Sequence, residues 1–182
     1  MENSIQTCEV SLTQKEANTL ASGIFQILDY MCRKAISDYY CEDYINDPIR
    51  IKSINNLYHT LSGKNPEFVE SEELEKLETA FYASLNQCII RSYNETEKII
   101  TMQLQINIDN KPMTLFLNRE EEFWVKYAID ALSPYTQVDI AAMGIKINAH
   151  VMGIAKRVSE EMPKPVDVGC YNGENGPIFI RK

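Results

Sequence analysis

The sequence predicts an α+β protein, with an acidic helical region over residues 1–98 followed by a small α/β sandwich over residues 99–182. Two observations lead there. Apolar residues recur every three or four positions in the first region, then every second position from Ile100 to Ile108. Beyond that switch the chain reads strand, strand, helix, strand, helix, strand, strand, with no internal repeat or low-complexity tract.

The first helix is predicted over Thr13–Tyr40. Thr13 and Glu16 have the spacing of a capping box, in which hydroxyl and carboxylate each satisfy a backbone N–H at the helix start. Leu20, Ile24, Ile27, Leu28, Met31 and Ala35 form one apolar stripe, and Gly23 within it weakens the helix or permits close packing. Asp47-Pro48 breaks the pattern, since the residue before proline is disfavoured in helical geometry. A second helix is predicted over Ile49–Leu61, stopping at Ser62-Gly63. A third begins near Ser71, where Glu72 and Glu73 suit the positive end of the helix dipole, and Leu74, Leu77, Phe81, Leu85 and Cys88 supply its stripe.

After Asn94 the character changes. Ile100, Met102, Leu104, Ile106 and Ile108 alternate with polar residues, as in a half-buried strand. Asp109-Asn110-Lys111-Pro112 has turn chemistry, and Met113–Leu117 reads as the returning strand. Glu120–Leu132 is the next helix, with Phe123, Tyr127 and Ala131 on one line and Trp124, Ala128 and Leu132 beside it. Ser133-Pro134 ends it. Val138–Ala142 is a short strand and Gly144 turns the chain out of it. Lys146–Met162 is a helix facing Ile147, Val151, Ile154 and Val158 inward. Val166–Tyr171 and Pro177–Ile180 form a hairpin across Asn172-Gly173, a dipeptide suited to hairpin turns.

Composition narrows the class. At 182 residues, 45% hydrophobic and 24% charged, the chain has enough apolar mass for a core. No apolar run approaches the roughly 18 residues of a membrane helix. The first twenty residues lack the basic start and apolar centre of a signal peptide, so the expected location is cytosol or nucleus, away from membranes. The five cysteines (Cys8, Cys32, Cys41, Cys88, Cys170) are scattered without a CxxC pair, which argues for reduced thiols rather than disulfides or zinc. Net charge is -8; residues 111–182 hold nine basic and nine acidic residues, so the entire acidic excess lies in residues 1–110. That first part repels phosphate backbones.

The stretch Val138-Asp-Ile-Ala-Ala-Met-Gly-Ile-Lys-Ile-Asn-Ala-His-Val151 resembles the Alba superfamily, which includes the stage V sporulation protein S family. The carrying features are the small-residue-Gly step Ala142-Met143-Gly144 and the Ile147-Asn148 pair that opens the following helix. The helix with Tyr127-Ala128 and the closing Ile178-Phe-Ile-Arg-Lys182 also fall where the family has its first helix and last strand, so the likeness spans about residues 113–182. It implies a sheet with two helices on one face, a homo- or heterodimer, and binding of DNA or RNA. On that resemblance Gly144, Lys146, Asn148, Lys156, Arg157 and Arg181 form the nucleic-acid surface, with helix-start N–H groups meeting phosphate. The family's Arg or Lys after the glycine and after the Ile-Asn step are replaced here by Ile145 and Ala149.

Catalytic chemistry finds little purchase. His59 and His150 lie in different regions, and nothing local supports a Cys–His pair such as Cys170 with His150, which would have to meet across the sheet. Glu120-Glu121-Glu122 suits a helix start better than a metal, since three adjacent acids on a helix do not face one point. Gly173–Gly176 lacks the Lys-Ser/Thr of a phosphate loop. No catalytic residue, metal or cofactor is therefore expected. Tyr39, Tyr40, Glu42, Asp43 and Tyr44 make an acidic aromatic patch suited to a protein partner. The expectation is a non-catalytic nucleic-acid-associated protein using an Alba-like module. The alternative is an acidic protein-binding assembly or regulatory subunit, or a nucleic-acid mimic, whose scaffold no longer holds nucleic acid.

Overall fold

The computed structural model describes residues 4–37, 47–67, 75, 79, 99–134 and 144–163. They form an α+β architecture in which a three-stranded mixed sheet carries its helices on one face. The elements in order are β1 (Gln6–Leu12), α1 (Gln14–Ser37), α2 (Asp47–Ser62), β2 (Ile100–Ile108), β3 (Lys111–Asn118), α3 (Arg119–Leu132) and α4 (Ala149–Glu161). The strands predicted over Val138–Ala142 and Val166–Ile180, together with Arg181 and Tyr39–Tyr44, lie outside the described residues. So does most of the helix predicted from Ser71. Glu75 and Thr79 are helical, and the Thr79 hydroxyl donates to the Glu75 carbonyl one turn back at 2.7 Å.

β1 is the element the helical expectation for the first region passed over. Cys8, Val10 and Leu12 alternate with exposed Thr7, Glu9 and Ser11, and the strand pairs parallel to β2, with Cys8 opposite Leu104 and Leu12 opposite Ile108. A parallel pair needs a crossover, and here α1 and α2 lie within it. One buried cluster therefore draws residues from both sides of the boundary placed at residue 98.

β2 and β3 form a hairpin. Asp109 and Asn110 adopt positive φ of 48° and 63°, the twist that a two-residue turn needs and that Asp and Asn tolerate. The turn is tighter than the predicted four residues, because Lys111 already pairs with Ile108. On the inner face Cys8, Leu104 and Leu115 make one row, and Val10, Ile106 and Met113 the next. On the outer face the rows are Thr7–Gln103–Phe116, Glu9–Gln105–Thr114 and Ser11–Asn107–Pro112.

The capping box at α1 forms as predicted. The Thr13 N–H donates to Glu16 Oε2 at 2.9 Å and the Glu16 N–H to the Thr13 hydroxyl at 3.2 Å. Leu20, Ile24, Ile27, Leu28 and Met31 are all buried; the Ala35 side chain lies outside the described set. Gly23 serves close packing. A Cβ there would sit 2.9 Å from Val151 Cγ1 and 3.0 Å from Leu132 Cδ1, so α1, α3 and α4 meet at this residue. α2 begins at Asp47, ahead of the predicted Ile49, with Pro48 in its first turn, where proline's missing N–H costs little.

Two expectations need correction. On α3 the buried residues are Trp124, Val125, Lys126, Ala128, Ile129, Ala131 and Leu132, while Phe123 and Tyr127 are only half-buried. The helix packs against α2, α4 and the sheet at once, so it buries a wider arc than one stripe. α4 starts at Ala149 rather than Lys146, because Asn148 is extended (φ -79°, ψ 158°) and caps the helix with its own side chain. Val151, Ile154 and Val158 face inward as predicted, and Ile147, ahead of the cap, is half-buried against the core.

Candidate functional site

The approach to α4 brings three of the predicted nucleic-acid residues, Gly144, Lys146 and Asn148, onto one stretch and distributes them among different tasks. Gly144 has φ +71° with open space around it, so glycine is needed there for the sign of φ rather than for room. Lys146 is exposed and has no ion-pair partner among the described residues. Asn148 Oδ1 accepts the Val151 N–H at 3.0 Å, and the Asn148 carbonyl accepts the Met152 N–H at 3.2 Å. The molecule's own side chain thus closes part of this helix start. The N–H groups of Ala149 and His150 take no acceptor among the described residues, and His150 itself is exposed.

Further along α4 the cations are already paired. Arg157 donates from Nη1 to the Ser11 carbonyl at 2.9 Å and from Nη2 to Glu16 Oε1 at 2.8 Å, and lies 3.5 Å from Glu161. It ties α4 to the end of β1 and the start of α1. Glu16 accepts from Thr13 with one carboxylate oxygen and from Arg157 with the other. The Thr13 N–H holds its carboxyl below the usual carboxylate range, against the opposing effect of burial and with a smaller contribution from the Arg157 cation. Lys156 lies 4.0 Å from Glu160 on the exposed side.

Lys126 is a feature that sequence reading passed over. Its side chain is buried on α3, and Nζ donates to the Ser159 carbonyl at 2.8 Å and to Ser159 Oγ at 3.0 Å, with Asp130 Oδ1 at 3.4 Å. Ser159 Oγ in turn donates to Asp130. A serine beside a lysine is the composition of a nucleophile and its base, but here Lys126 Nζ is surrounded by three acceptors and the Ser159 hydroxyl donates to Asp130, not to the lysine. The cluster instead satisfies a buried charge and joins α3 to α4. The available signal was the i, i+4 spacing of Lys126 and Asp130, although nothing local indicated that the pair would be buried.

The remaining candidates are placed individually. The Asn118 N–H donates to Glu121 Oε2 at 3.0 Å, Glu121 Oε1 lies 3.7 Å from Lys52, and Glu122 accepts from Thr101 at 3.1 Å. Glu121 and Glu122 thus point apart, and Glu121 completes the capping box at the start of α3. Among the described residues no group of three or more His, Cys, Asp or Glu side chains could hold a metal. Cys8 and Cys32 are free and buried. Burial, with a smaller effect of Asp29, pushes the Cys32 thiol up to about 12. The Cys8 thiol is also raised, mainly by burial, and donates to the Glu161 carbonyl at 3.3 Å. An open groove of about 440 Å³ runs between α1 and the end of α2, past Phe25 and Tyr58 and between Lys64 and Glu67 at its rim. Its two charges are opposite in sign and exposed, so they do not converge on one ligand group.

The class that fold and surface define is an α+β scaffold in which Lys126 and Arg157 are paired internally and one sheet face is free of the described helices. No protein-family model matches the chain, and no curated protein and no solved structure is significantly similar to it. No helix among the described residues is long and apolar enough to cross a membrane.

Proposed function

We propose that this protein is a non-catalytic assembly or regulatory subunit that binds another protein. The observation that carries the reading is the engagement of Arg157. Of the α4 cations expected to meet phosphate, Arg157 is held by Ser11, Glu16 and Glu161, and a phosphate would have to break that set to recruit it. The net charge of -8, with its excess in residues 1–110, supports the same reading, because such a surface suits a basic protein face and repels nucleic acid.

The nucleic-acid reading keeps one supporting observation: exposed Lys146 beside the uncapped N–H groups of Ala149 and His150, on the segment that resembles the Alba superfamily. The test sets the two against each other. The full chain is purified from its host after chemical crosslinking, and the recombinant chain is titrated with DNA and RNA at low and moderate salt. A defined protein partner and no mobility shift at moderate salt is the expected result. A shift that fades steeply with salt and disappears in Lys146→Glu would transfer the assignment to nucleic acid.

A further inference from the structure

Beyond the interaction role, and resting on the protein-binding reading, we infer that the outer face of the sheet docks a basic segment of the partner, anchored at Glu9 and Phe116. The face bears a directed chain of side chains. Gln105 Nε2 donates to Asn107 Oδ1 at 3.2 Å, and Asn107 Nδ2 donates to Glu9 Oε1. Each amide turns its N–H toward the next acceptor, and the chain ends on a carboxylate. Glu9 is thereby held in position by a residue on the neighbouring strand, with its second oxygen taking no partner among the described residues. It is the only charged side chain in the three outer rows.

A fixed, exposed carboxylate with no cation in the described rows of its own face matches a guanidinium or ammonium from outside. Phe116 supplies the second anchor. It is 60% exposed, the most open of the large hydrophobic side chains on the strands, and shares a row with Gln103. A phenyl ring in that position can cover the alkyl stem of Arg or Lys or receive the cation over its face. The anchors lie two strands apart and one row apart on the face, a diagonal of about 12 Å, which an extended segment spans in roughly four residues. Acceptors, one negative charge and one open ring describe a surface for a basic polypeptide. Phosphate would meet Glu9 with no cation in these rows to offset it.

The test uses the full chain, isotope-labelled for amide chemical-shift mapping, and a short synthetic peptide of alternating arginine and threonine. The same peptide with glutamate in place of arginine, and oligouridylate, serve as comparisons. The expected result is arginine-dependent shifts confined to Glu9, Gln103–Asn107 and Thr114–Phe116, with affinity falling about tenfold or more in Glu9→Gln/Phe116→Ser. Both substitutions lie on the solvent face, and an unchanged circular dichroism melt verifies that the variant folds. No binding, binding elsewhere, or binding untouched by the double variant overturns the assignment of this face; a crosslinked protein partner would then still uphold the wider reading. Preferential binding of oligouridylate to these residues overturns both.

Discussion

On the inner face of the sheet Leu104 and Ile106 lie buried beneath helices, while on the outer face their chain neighbours Gln105 and Asn107 remain half-open and bond to each other and to Glu9. Both faces come from the same strands, and a period of two is enough to give one backbone two environments. The difference has an energetic consequence. A change on one face disturbs close packing, whereas on the other it alters a solvated network. The helix-side polar groups obey the inner rule, since Lys126 is buried but fully provided with acceptors.

The sharpest way to break this comparison is a pair of adjacent alanines. Leu104→Ala should cost about 2–5 kcal/mol in urea unfolding, the transfer and cavity cost of a buried leucine. Gln105→Ala should cost less than about 1 kcal/mol. Equal losses would show that the outer face is packed as well. Next in size is Lys126→Met, which keeps the stem and removes the charge. It should cost about 1–3 kcal/mol, because the Ser159 carbonyl and Asp130 lose a donor, and the loss should persist in high salt.

The smallest effect belongs to the exposed latch between Glu16 and Arg157, worth roughly 0.2–1 kcal/mol as a surface pair. The folded state lowers the Glu16 carboxyl, so its contribution is fully present above the ordinary glutamate range and is lost as pH falls through the lowered value. Urea midpoints measured across the acidic range should therefore fall less steeply in Glu16→Gln than in the parent chain. Parallel curves would show that neither the Thr13 cap nor the Arg157 latch stabilises the charged Glu16 carboxylate.

How much was legible depended on the distance to the partner. The box of Thr13 and Glu16 was readable because its groups stand three residues apart. The turn at Asp109-Asn110 was readable because both residue types tolerate positive φ. β1 showed its alternation only through Cys8, Val10 and Leu12, and its partner lies beyond α2 in β2, where no local pattern points. At the candidate site, Gly144 and Lys146 could be identified from their residue types. Asn148 was assigned to ligand contact although an asparagine before a helix is also a capping signal, and the cap is what forms. Arg157 read as a free cation because Ser11 and Glu16 are remote from it in sequence.

By itself the sequence determined the α+β class, the capping box of α1, the alternation of β2 and the acidic excess, because each depends on residue types or on spacings of two to four residues. The tertiary structure alone decided that β1 enters the sheet, that Lys126 is buried beside Ser159, and that Arg157 bridges α4 to the start of α1. Those partners are chosen by how apolar faces stack, and the polar groups carried along bond to whatever acceptors the packing brings within reach.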